Sequence, residues 1–556
     1  MASLAELLSY DPTTHLAQLR RVNAALEQRS QYNLAELPVT STKQAIERCL
    51  TKLPEELPQD GLGLEATTTH LLETIAPALM PGQAGPRCFG LVTGGVTPAS
   101  QLADQLVTSF DPCVQVHWPE KTASVALEQL ALSYLLSLLS LPTSTFTHNT
   151  LTTGATASNL LGLSLGREWA VSRIQRLKGD DFADWSVAED GTGGVETDVF
   201  VVDAHASVKK AAAILGIGRR SVVELGNREL EEKEGRIGCF DLEKLEEQLR
   251  SNAEKGRASI VATSFGEVNT GAIGSDTPSV RALCDMYHAW LHIDAAFGAF
   301  AVLHPDYEAY APHLAMGDSI TSDAHNNVPY DCGLFFSRSR PLPSPSSSSS
   351  GASASLFTIT GPGASAPAYL ASGGPSTDVE EVRKYPKVEN SKRLVSPLFM
   401  GVENSRRFRA LPVLASLLSL GRSGYAALIA RNIAFARRVD AFLRAHTGYD
   451  VLTPLPASSA PEDVKKDPYA FRVLNVVIFA PSSSAPKRFT TPSEGNPDPA
   501  STFLEALNAS NEVFLTPSTW RGRKAVRLAV SNWGTELVEG REWEVVRGVL
   551  EGVMRE

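Results

Sequence analysis

Short apolar runs alternate with segments of helical apolar spacing between residues 149 and 335. Runs of valine, isoleucine and leucine with few polar residues are typical of strands buried on both faces of a sheet. The segments between them carry leucines and alanines at helical spacing, and Asp241 is a candidate N-cap of one of these helices. The predicted strands are residues 198–203, 221–225, 259–265 and 291–294, and the predicted helices are residues 207–215, 241–249 and 279–288. This alternation predicts an α/β fold with a large, mostly parallel sheet covered by helices.

Helical patterns flank this region on both sides. They comprise a pattern that begins with Leu4, Leu7 and Leu8, residues 41–53, 67–79 and 127–141, and a long stretch at 403–445. Strand candidates at 472–479 and 525–530 predict a smaller α+β unit near the end of the chain. We therefore divide the chain into an N-terminal helical segment (1–85), a large domain (86–395) and a small C-terminal domain (396–556). A serine- and proline-rich stretch predicts a disordered insertion at about 340–365.

Composition limits the possible partners and compartments. The net charge of −11 argues against nucleic acid and anionic membrane surfaces as partners. The first residues lack the basic start and apolar stretch of a signal peptide, and the apolar run at 295–303 is too short to span a membrane. The six cysteines are scattered, with no pair at metal-ligand or redox spacing. We therefore expect free thiols, no metal site and a cytosolic protein.

Small residues precede a leucine-rich helix at residues 152–161. The backbone N–H groups of Gly154, Ala155 and Thr156, together with the Thr156 hydroxyl, would lie at the start of that helix. Free N–H groups and the helix dipole make such a start a binding site for an anion. An ordinary capped helix explains the same pattern, and this segment by itself favours that simpler explanation.

Polar residues end three of the predicted strands. His205 follows residues 198–203 directly, where its ring could stack on a planar ligand, although a single histidine there is more often structural. Thr263 and Asp294 lie at strand ends, where parallel sheets bind ligands. Burying Asp294 costs several kcal/mol unless donors or a cation meet it, and a protonated pyridine nitrogen is a suitable cation.

A further polar cluster follows the apolar segment that ends near residue 322. It contains Asp323, His325 and Asn326 and is followed by Val328. Together, the small-residue helix start, Asp-Ala-His at 203–205, Thr263, Asp-Ala-Ala at 294–296 and Asp-Ala-His at 323–325 resemble, in this order, the group II pyridoxal-phosphate-dependent decarboxylases. This family includes the aromatic-amino-acid and glutamate decarboxylases. The resemblance runs from about residue 86 to residue 533, and further matching stretches are residues 90–98, 266–271, 403–407 and 520–523.

The resemblance implies a fold, an activity and a role for each matching residue. The fold would be that of the type I pyridoxal-phosphate transferases, in a homodimer that converts an amino acid to an amine and carbon dioxide. His205 would stack on the pyridine ring and assist protonation, Asp294 would pair with the ring nitrogen, and Tyr385 would be a candidate proton donor. The other implied cofactor contacts are Gly154, Ala155, Thr156 and His325 at the phosphate, and Thr263, Ala296 and Asp323 near the ring.

The chain departs from the family at the position of the Schiff-base lysine. The family has Asp-x-His-Lys, whereas Asn326 follows His325 here, and the chain is about two residues shorter before Val328. No lysine occurs between Lys255 and Lys384. An asparagine amide is not a nucleophile, so it cannot bond covalently to the cofactor or exchange it with the substrate amine.

Three interpretations follow from this departure. The protein is a working decarboxylase whose sequence has lost a few codons at an exon edge, a cofactor-binding protein with impaired catalysis, or a non-enzymatic dimer that keeps the fold for partner binding. A fold-related aminotransferase or desulfurase is a further alternative. The histidine before the expected lysine favours a decarboxylase over either of these enzymes.

Overall fold

A computed structural model describes residues 11–31, 37–92, 94–118, 121–324, 328–343 and 394–555 of the protein. The predicted helical pattern that begins at Leu4 lies outside the described residues. Most of the serine-rich stretch at about 340–365 also lies outside them.

Helices and strands follow one another in the order expected from the apolar pattern. The strands are β1 (His148–Thr152), β2 (Thr197–Val201), β3 (Val222–Glu224), β4 (Ala258–Ser264), β5 (Trp290–Asp294), β6 (Ser319–Asp323), β7 (Gly333–Ser337), β8 (Tyr449–Val451), β9 (Val476–Pro481), β10 (Thr516–Trp520) and β11 (Arg523–Ala529). The helices are α1 (Pro12–Gln31), α2 (Lys43–Lys52), α3 (Gly63–His70), α4 (Pro98–Phe110), α5 (Ser124–Leu138), α6 (Ala155–Arg176), α7 (Val187–Asp190), α8 (Ala206–Ile214), α9 (Arg228–Glu234), α10 (Leu242–Lys255), α11 (Thr277–Met286), α12 (Ala311–Leu314), α13 (Ala410–Ala445), α14 (Pro461–Lys466), α15 (Lys487–Thr490), α16 (Pro499–Asn508) and α17 (Arg541–Arg555).

The large sheet has seven strands in the order β1-β7-β6-β5-β4-β2-β3. Strands β3, β2, β4, β5 and β6 run parallel, and β7 pairs antiparallel with both β6 and β1. Every residue of β4, β5 and β6 is buried, which explains the apolar residues in the middle of β4 and in β5. The predicted α/β architecture is therefore confirmed, and the carboxyl ends of the parallel strands share one edge of the sheet.

Individual elements agree with their sequence patterns, apart from two interrupted helices. In α13 the backbone leaves the helical conformation at Gly421, which has φ of 58°. Asp241 caps α10 as expected, because its Oδ1 accepts a hydrogen bond from the Lys244 N–H at 3.2 Å. The helix predicted over residues 67–79 is instead interrupted. It is α-helical only to His70 and continues as a π turn (Leu71–Ile75) and a 3₁₀ turn (Ala76–Ala78). Pro77 explains the end of this segment, because proline has no N–H to continue the hydrogen-bond ladder.

The chain groups into two compact units. The first comprises residues 1–95, 434–452 and 477–556, and the second comprises residues 96–433 and 453–476. The first unit contains a four-stranded sheet in the order β10-β11-β9-β8, and the second contains the seven-stranded sheet. The four-stranded sheet corresponds to the smaller α+β unit that the sequence predicts near the end of the chain. The domain boundaries at residues 85 and 395 stay a prediction.

Helix α13 is apolar over much of its length. Among the described residues it is the one helix long and apolar enough to cross a membrane. Its residues Val413, Leu414 and Ile433 are buried in the hydrophobic core of the second unit. A core helix of a folded protein has the same length and apolarity, so this property is weak evidence for a membrane span.

A buried ion pair links α5 to the segment that precedes α13. Arg406 Nη1 donates to Glu128 Oε2 at 2.8 Å, and Nη2 donates to the other carboxylate oxygen. The side chains of Arg406 and Glu128 are only 3% and 2% exposed. The next residue, Arg407, makes a similar pair with Asp104 but is 38% exposed.

Because Glu128 would become a buried, unpaired charge, we expect Arg406→Met to lower the free energy of unfolding by about 3–5 kcal/mol. The matched change Arg407→Met should cost less than about 1 kcal/mol, since water screens its pair. Urea unfolding of the two variants measures the difference. Equal losses would contradict a structural role for the buried pair.

Candidate functional site

The loop between β1 and α6 forms one wall of a site at the carboxyl edge of the large sheet. Gly154 has φ of 150°, a conformation that favours glycine, and α6 begins at the next residue. The first intrahelical bonds start at Ala157 and Ser158, which donate to the Gly154 carbonyl. The N–H groups of Ala155 and Thr156 therefore belong to the open first turn of a long helix, where an anion binds favourably.

The neighbouring strand β7 passes very close to this loop. A Cβ atom on Gly333 would lie 2.4 Å from the carbonyl carbon of Gly154, so only glycine fits there. Gly333 also pairs with Thr152 of β1 and with Asp323 of β6. The strand register thus brings the helix start and Asp323 to the same edge of the sheet.

Asp294 ends β5 as a buried carboxylate. Its Oδ2 accepts from Asn159 Nδ2 at 2.7 Å, and its Oδ1 accepts from the Ala296 N–H at 3.2 Å. Burial raises the pKa of Asp294, while these donors and the nearby His205 act in the opposite direction. The donors described for this carboxylate are neutral, so a cation beside it would stabilise its charged form.

His205 caps α8 and exposes its ring. Its Nδ1 lies 2.7 Å from Ser207 Oγ and accepts from the Ser207 N–H at 3.2 Å. These bonds fix the plane of the imidazole while the side chain stays exposed to a ligand. Ser207 Oγ also accepts from Asn159 Nδ2 at 2.9 Å, which joins His205 to the same network as Asp294.

The remaining predicted residues lie along the same edge or outside the described chain. Thr263 is buried near the end of β4, one residue before the partner of Asp294, and Asp323 ends β6. Asp294 pairs with Thr321 of β6, two residues before Asp323, and the charge of Asp323 contributes to the raised pKa of Asp294. His325 and Asn326 follow Ala324 in the sequence and, like Tyr385, lie outside the described residues.

Three polar residues of the site were not predicted from the sequence. These are Asn159, Ser207 and His292, which connect the predicted residues through hydrogen bonds. The available signals were an amide within a leucine-rich helix and a histidine inside a buried apolar strand. Neither signal identifies a partner, because the partners come from distant segments of the chain.

The arrangement suits a planar ligand with charges at both ends. The start of α6 can bind an anionic group, the exposed ring of His205 can stack on a flat ring, and Asp294 can pair with a protonated ring nitrogen. The residues described here therefore fit a pyridine ring that carries a phosphate.

Comparison with known proteins agrees with this chemistry. A family model described as the pyridoxal-dependent decarboxylase conserved domain matches residues 47–343. An L-2,4-diaminobutyrate decarboxylase of Acinetobacter baumannii is 26% identical over 361 residues, and the match covers 64% of this chain and 62% of that protein. A phenylacetaldehyde synthase of a Rosa hybrid cultivar is 23% identical over 534 residues, covering 94% of this chain and 91% of that protein.

Solved structures show the same fold. Oryza sativa TDC with PLP and tryptamine superposes with a TM-score of 0.74 at 18% identity, covering 98% of this chain and 100% of that chain. Mouse CSAD gives a TM-score of 0.71 at 18% identity, covering 98% of this chain and 99% of that chain. These likenesses confirm the fold implied by the sequence motifs.

Gly162 of α6 leaves room for the ring of His292. A Cβ on Gly162 would lie 2.3 Å from ring atoms of His292, which is held by two hydrogen bonds. We therefore expect Gly162→Ala to destabilise the protein by about 1–3 kcal/mol, despite the better helix propensity of alanine.

The control is Gly548→Ala in α17, where an added Cβ meets nothing within 4 Å. This change should stabilise the protein by about 0.5–1 kcal/mol, because glycine is a poor helix former. Thermal unfolding of both variants measures the two opposite shifts. A rise in the midpoint of Gly162→Ala would disprove the close packing of α6 on β5.

Proposed function

Since the chain belongs to the pyridoxal-dependent decarboxylase family, we propose that it binds pyridoxal 5'-phosphate and decarboxylates an amino acid. The products would be an amine and carbon dioxide. The observation that carries this proposal is the buried carboxylate of Asp294, which lies beside an open helix start and an exposed histidine. One edge of the sheet would then offer partners for the nitrogen, the phosphate and the ring of one cofactor.

We assign the phosphate to the first turn of α6, with Gly154, Ala155 and Thr156 contributing their backbone N–H groups. His325 would add a contact there. His205 would stack on the ring, Asp294 would pair with its nitrogen, and Thr263, Ala296 and Asp323 would lie near it. When bound, the cofactor accepts the electron pair that remains after carbon dioxide leaves.

The protein's own residues would control charge and proton position. An ionised Asp294 keeps a proton on the ring nitrogen, because the two charges stabilise each other in a buried site. His205 holds its ring plane through Ser207, which supports both stacking and the delivery of a proton to the reacting carbon. Tyr385 remains our second candidate for that proton.

Asn326 stands where the family has its lysine, so the cofactor would be held without a covalent bond to the protein. Turnover should then be slower by orders of magnitude than in a chain with the lysine. This residue favours a second candidate function, a cofactor-binding protein with impaired catalysis. It also supports, more weakly, a non-enzymatic dimer.

The substrate is an amino acid whose side chain we leave open. The names of the relatives refer to diaminobutyrate, aromatic amino acids and histidine. These side chains differ in charge and shape, so the family match does not select among them. A test panel should contain basic, aromatic, imidazole and acidic amino acids.

We further propose a cytosolic homodimer. Helix α4 carries Leu102, Leu106 and Phe110, spaced four residues apart and 63%, 52% and 79% exposed, whereas Ala103 and Val107 are buried. Large apolar side chains on the exposed face of a helix are typical of a surface that another subunit covers. All six cysteines are free thiols, which supports a reducing compartment.

Added pyridoxal 5'-phosphate should raise the thermal midpoint of the purified protein, because a ligand of the native state stabilises it. Borohydride treatment should leave no lysine-linked cofactor by mass spectrometry. The variant Asn326→Lys should gain such an adduct and produce amine from at least one member of the panel. Asn326→Gln is the matched control and should do neither.

An unchanged midpoint at saturating cofactor would exclude cofactor binding and favour the non-enzymatic dimer. A lysine-linked adduct in the unaltered protein would contradict the non-covalent mode. Sequencing of the transcript across residues 325–327 tests the loss of codons independently.

The affinity for the cofactor should fall as the pH is lowered. Burial raises the pKa of Asp294 above the value of about 3.9 for a free aspartate, so the cofactor-free site retains its proton to higher pH. The ring cation pairs only with the ionised carboxylate, so affinity is full above the raised pKa and is lost below it. Cofactor titrations from pH 8 downwards measure this dependence. The Asp294→Asn variant should bind the cofactor more weakly at pH 8. The pH dependence of affinity that remains in this variant reports the titration of the cofactor itself.

A further inference from the structure

Asn159 lies at the centre of the hydrogen-bond network between the two predicted ring contacts. We propose that Asn159 is a positioning residue that fixes His205 and Asp294 relative to each other, so that ring stacking and nitrogen pairing form as one unit. This inference rests on the proposed function, because the ring belongs to pyridoxal 5'-phosphate. It assigns a role to a residue of α6 that touches neither the phosphate nor the reacting carbon.

The amide of Asn159 uses both of its N–H donors and one acceptor position of its oxygen. Nδ2 donates to Asp294 Oδ2 at 2.7 Å and to Ser207 Oγ at 2.9 Å. Oδ1 lies 2.8 Å from Nε2 of His292. The side chain is fully buried, so each of these bonds forms away from competing water.

The orientation of this amide is fixed by its neighbours in β5 and β6. Trp290 Nε1 can only donate, and it donates to Ser319 Oγ at 2.9 Å. Ser319 Oγ keeps its own proton, which it can donate to His292 Nδ1, 2.8 Å away. Burial lowers the pKa of His292 to about 3, so the ring is neutral. The ionised carboxylate of Asp294 can only accept, so it binds Nδ2 of Asn159, and the ring proton on Nε2 then faces Oδ1.

A reversed amide would be unfavourable on two sides. Its oxygen would face the Asp294 carboxylate and its NH₂ group would face the Nε2–H of His292. The chain Trp290–Ser319–His292–Asn159 therefore aims two N–H groups at Asp294 and Ser207 before any ligand binds. Such preorganisation lowers the cost of ordering the site during binding.

The second N–H group of Asn159 connects the fixed amide to His205 through Ser207. Because Ser207 Oγ accepts from Asn159, its own proton is available to His205 Nδ1 at 2.7 Å. The Ser207 N–H also donates to Nδ1. Both donors hold the imidazole by the same nitrogen, so its plane depends on Ser207 and, through Ser207, on Asn159.

The alternative is that Asn159 serves only to pack α6 against the sheet. Asn252 offers a matched comparison, because it is also buried and donates to Asp198 Oδ2 at 3.1 Å and to Ser259 Oγ at 3.0 Å. It thus makes the same pair of bonds, to a carboxylate and a serine, without a contact to the site residues. Any effect common to Asn159→Leu and Asn252→Leu is structural.

The test measures the dissociation constant of pyridoxal 5'-phosphate for the full chain by quenching of tryptophan fluorescence. Asn159→Leu should raise it by about 10- to 100-fold, the range for losing a hydrogen bond to a charged group. Ser207→Ala should raise it by about 2- to 10-fold, because a neutral bond is lost. Asn252→Leu should lower the thermal midpoint and leave the dissociation constant within about twofold of the unaltered protein.

Two further measurements separate positioning from packing. Loss of an N–H donor raises the pKa of Asp294 further, so affinity in Asn159→Leu should decline from a higher pH than in the unaltered protein. In an Asp294→Asn background, the effect of Asn159→Leu on binding should fall to about that of Ser207→Ala, because only the bond to Ser207 is then lost.

Three outcomes overturn the inference. They are equal effects of Asn159→Leu and Asn252→Leu on binding, additive effects of Asn159→Leu and Asp294→Asn, and unchanged binding by Ser207→Ala. Ser207→Ala decides the matter if Asn159→Leu does not fold. If the unaltered protein itself fails to bind the cofactor, both the inference and the proposed function are refuted. Normal binding with unaffected variants refutes the inference alone.

Discussion

The burial of a carboxylate at the end of β5 is the constraint on which the site depends. Removing the charge of Asp294 from water costs several kcal/mol, and two N–H donors offset only part of that cost, since its pKa is still raised. The negative charge of Asp294 is therefore only partly compensated until a cation binds beside it. In the proposed site, a pyridinium nitrogen would supply that cation where the sheet, α6 and α8 meet. Binding and the charge state of Asp294 are consequently linked.

Helix α6 connects this constraint to the fold. Residues at positions 155, 159, 162 and 166 lie on one side of the helix, because these spacings correspond to whole turns. Ala155 lies at the proposed anion site, Asn159 donates to Asp294, and Gly162 and Gly166 allow His292 and Trp290 of β5 to approach. One helix face would thus set the phosphate end and the nitrogen end of the proposed site at a fixed separation. Close packing of this face explains why Gly162 and Gly166 stand among the leucines of α6.

Sequence patterns predict the strands and the residues at their ends better than the hydrogen bonds between those residues. Buried parallel strands are continuous apolar runs, so the ends of β2 and β5 were identified together with His205 and Asp294. The hydrogen bonds between these ends were not predictable, because Asn159 and His292 are 133 residues apart and meet only through packing. The antiparallel insertion of β7 between β1 and β6 is another case. A five-residue apolar run has the same pattern in either direction, so sequence alone does not fix its orientation.

The change at position 326 separates binding from catalysis in physical terms. In the proposed site the phosphate, the ring face and the ring nitrogen contact α6, His205 and Asp294, and none of these contacts requires a side chain at residue 326. An asparagine there removes the nucleophile but leaves the electrostatic reason for binding intact. A cofactor held only by such contacts exchanges with the cofactor in solution, and its occupancy depends on the free concentration. Loss of the lysine alone would therefore turn a permanent prosthetic group into a dissociable ligand whose binding still stabilises the fold.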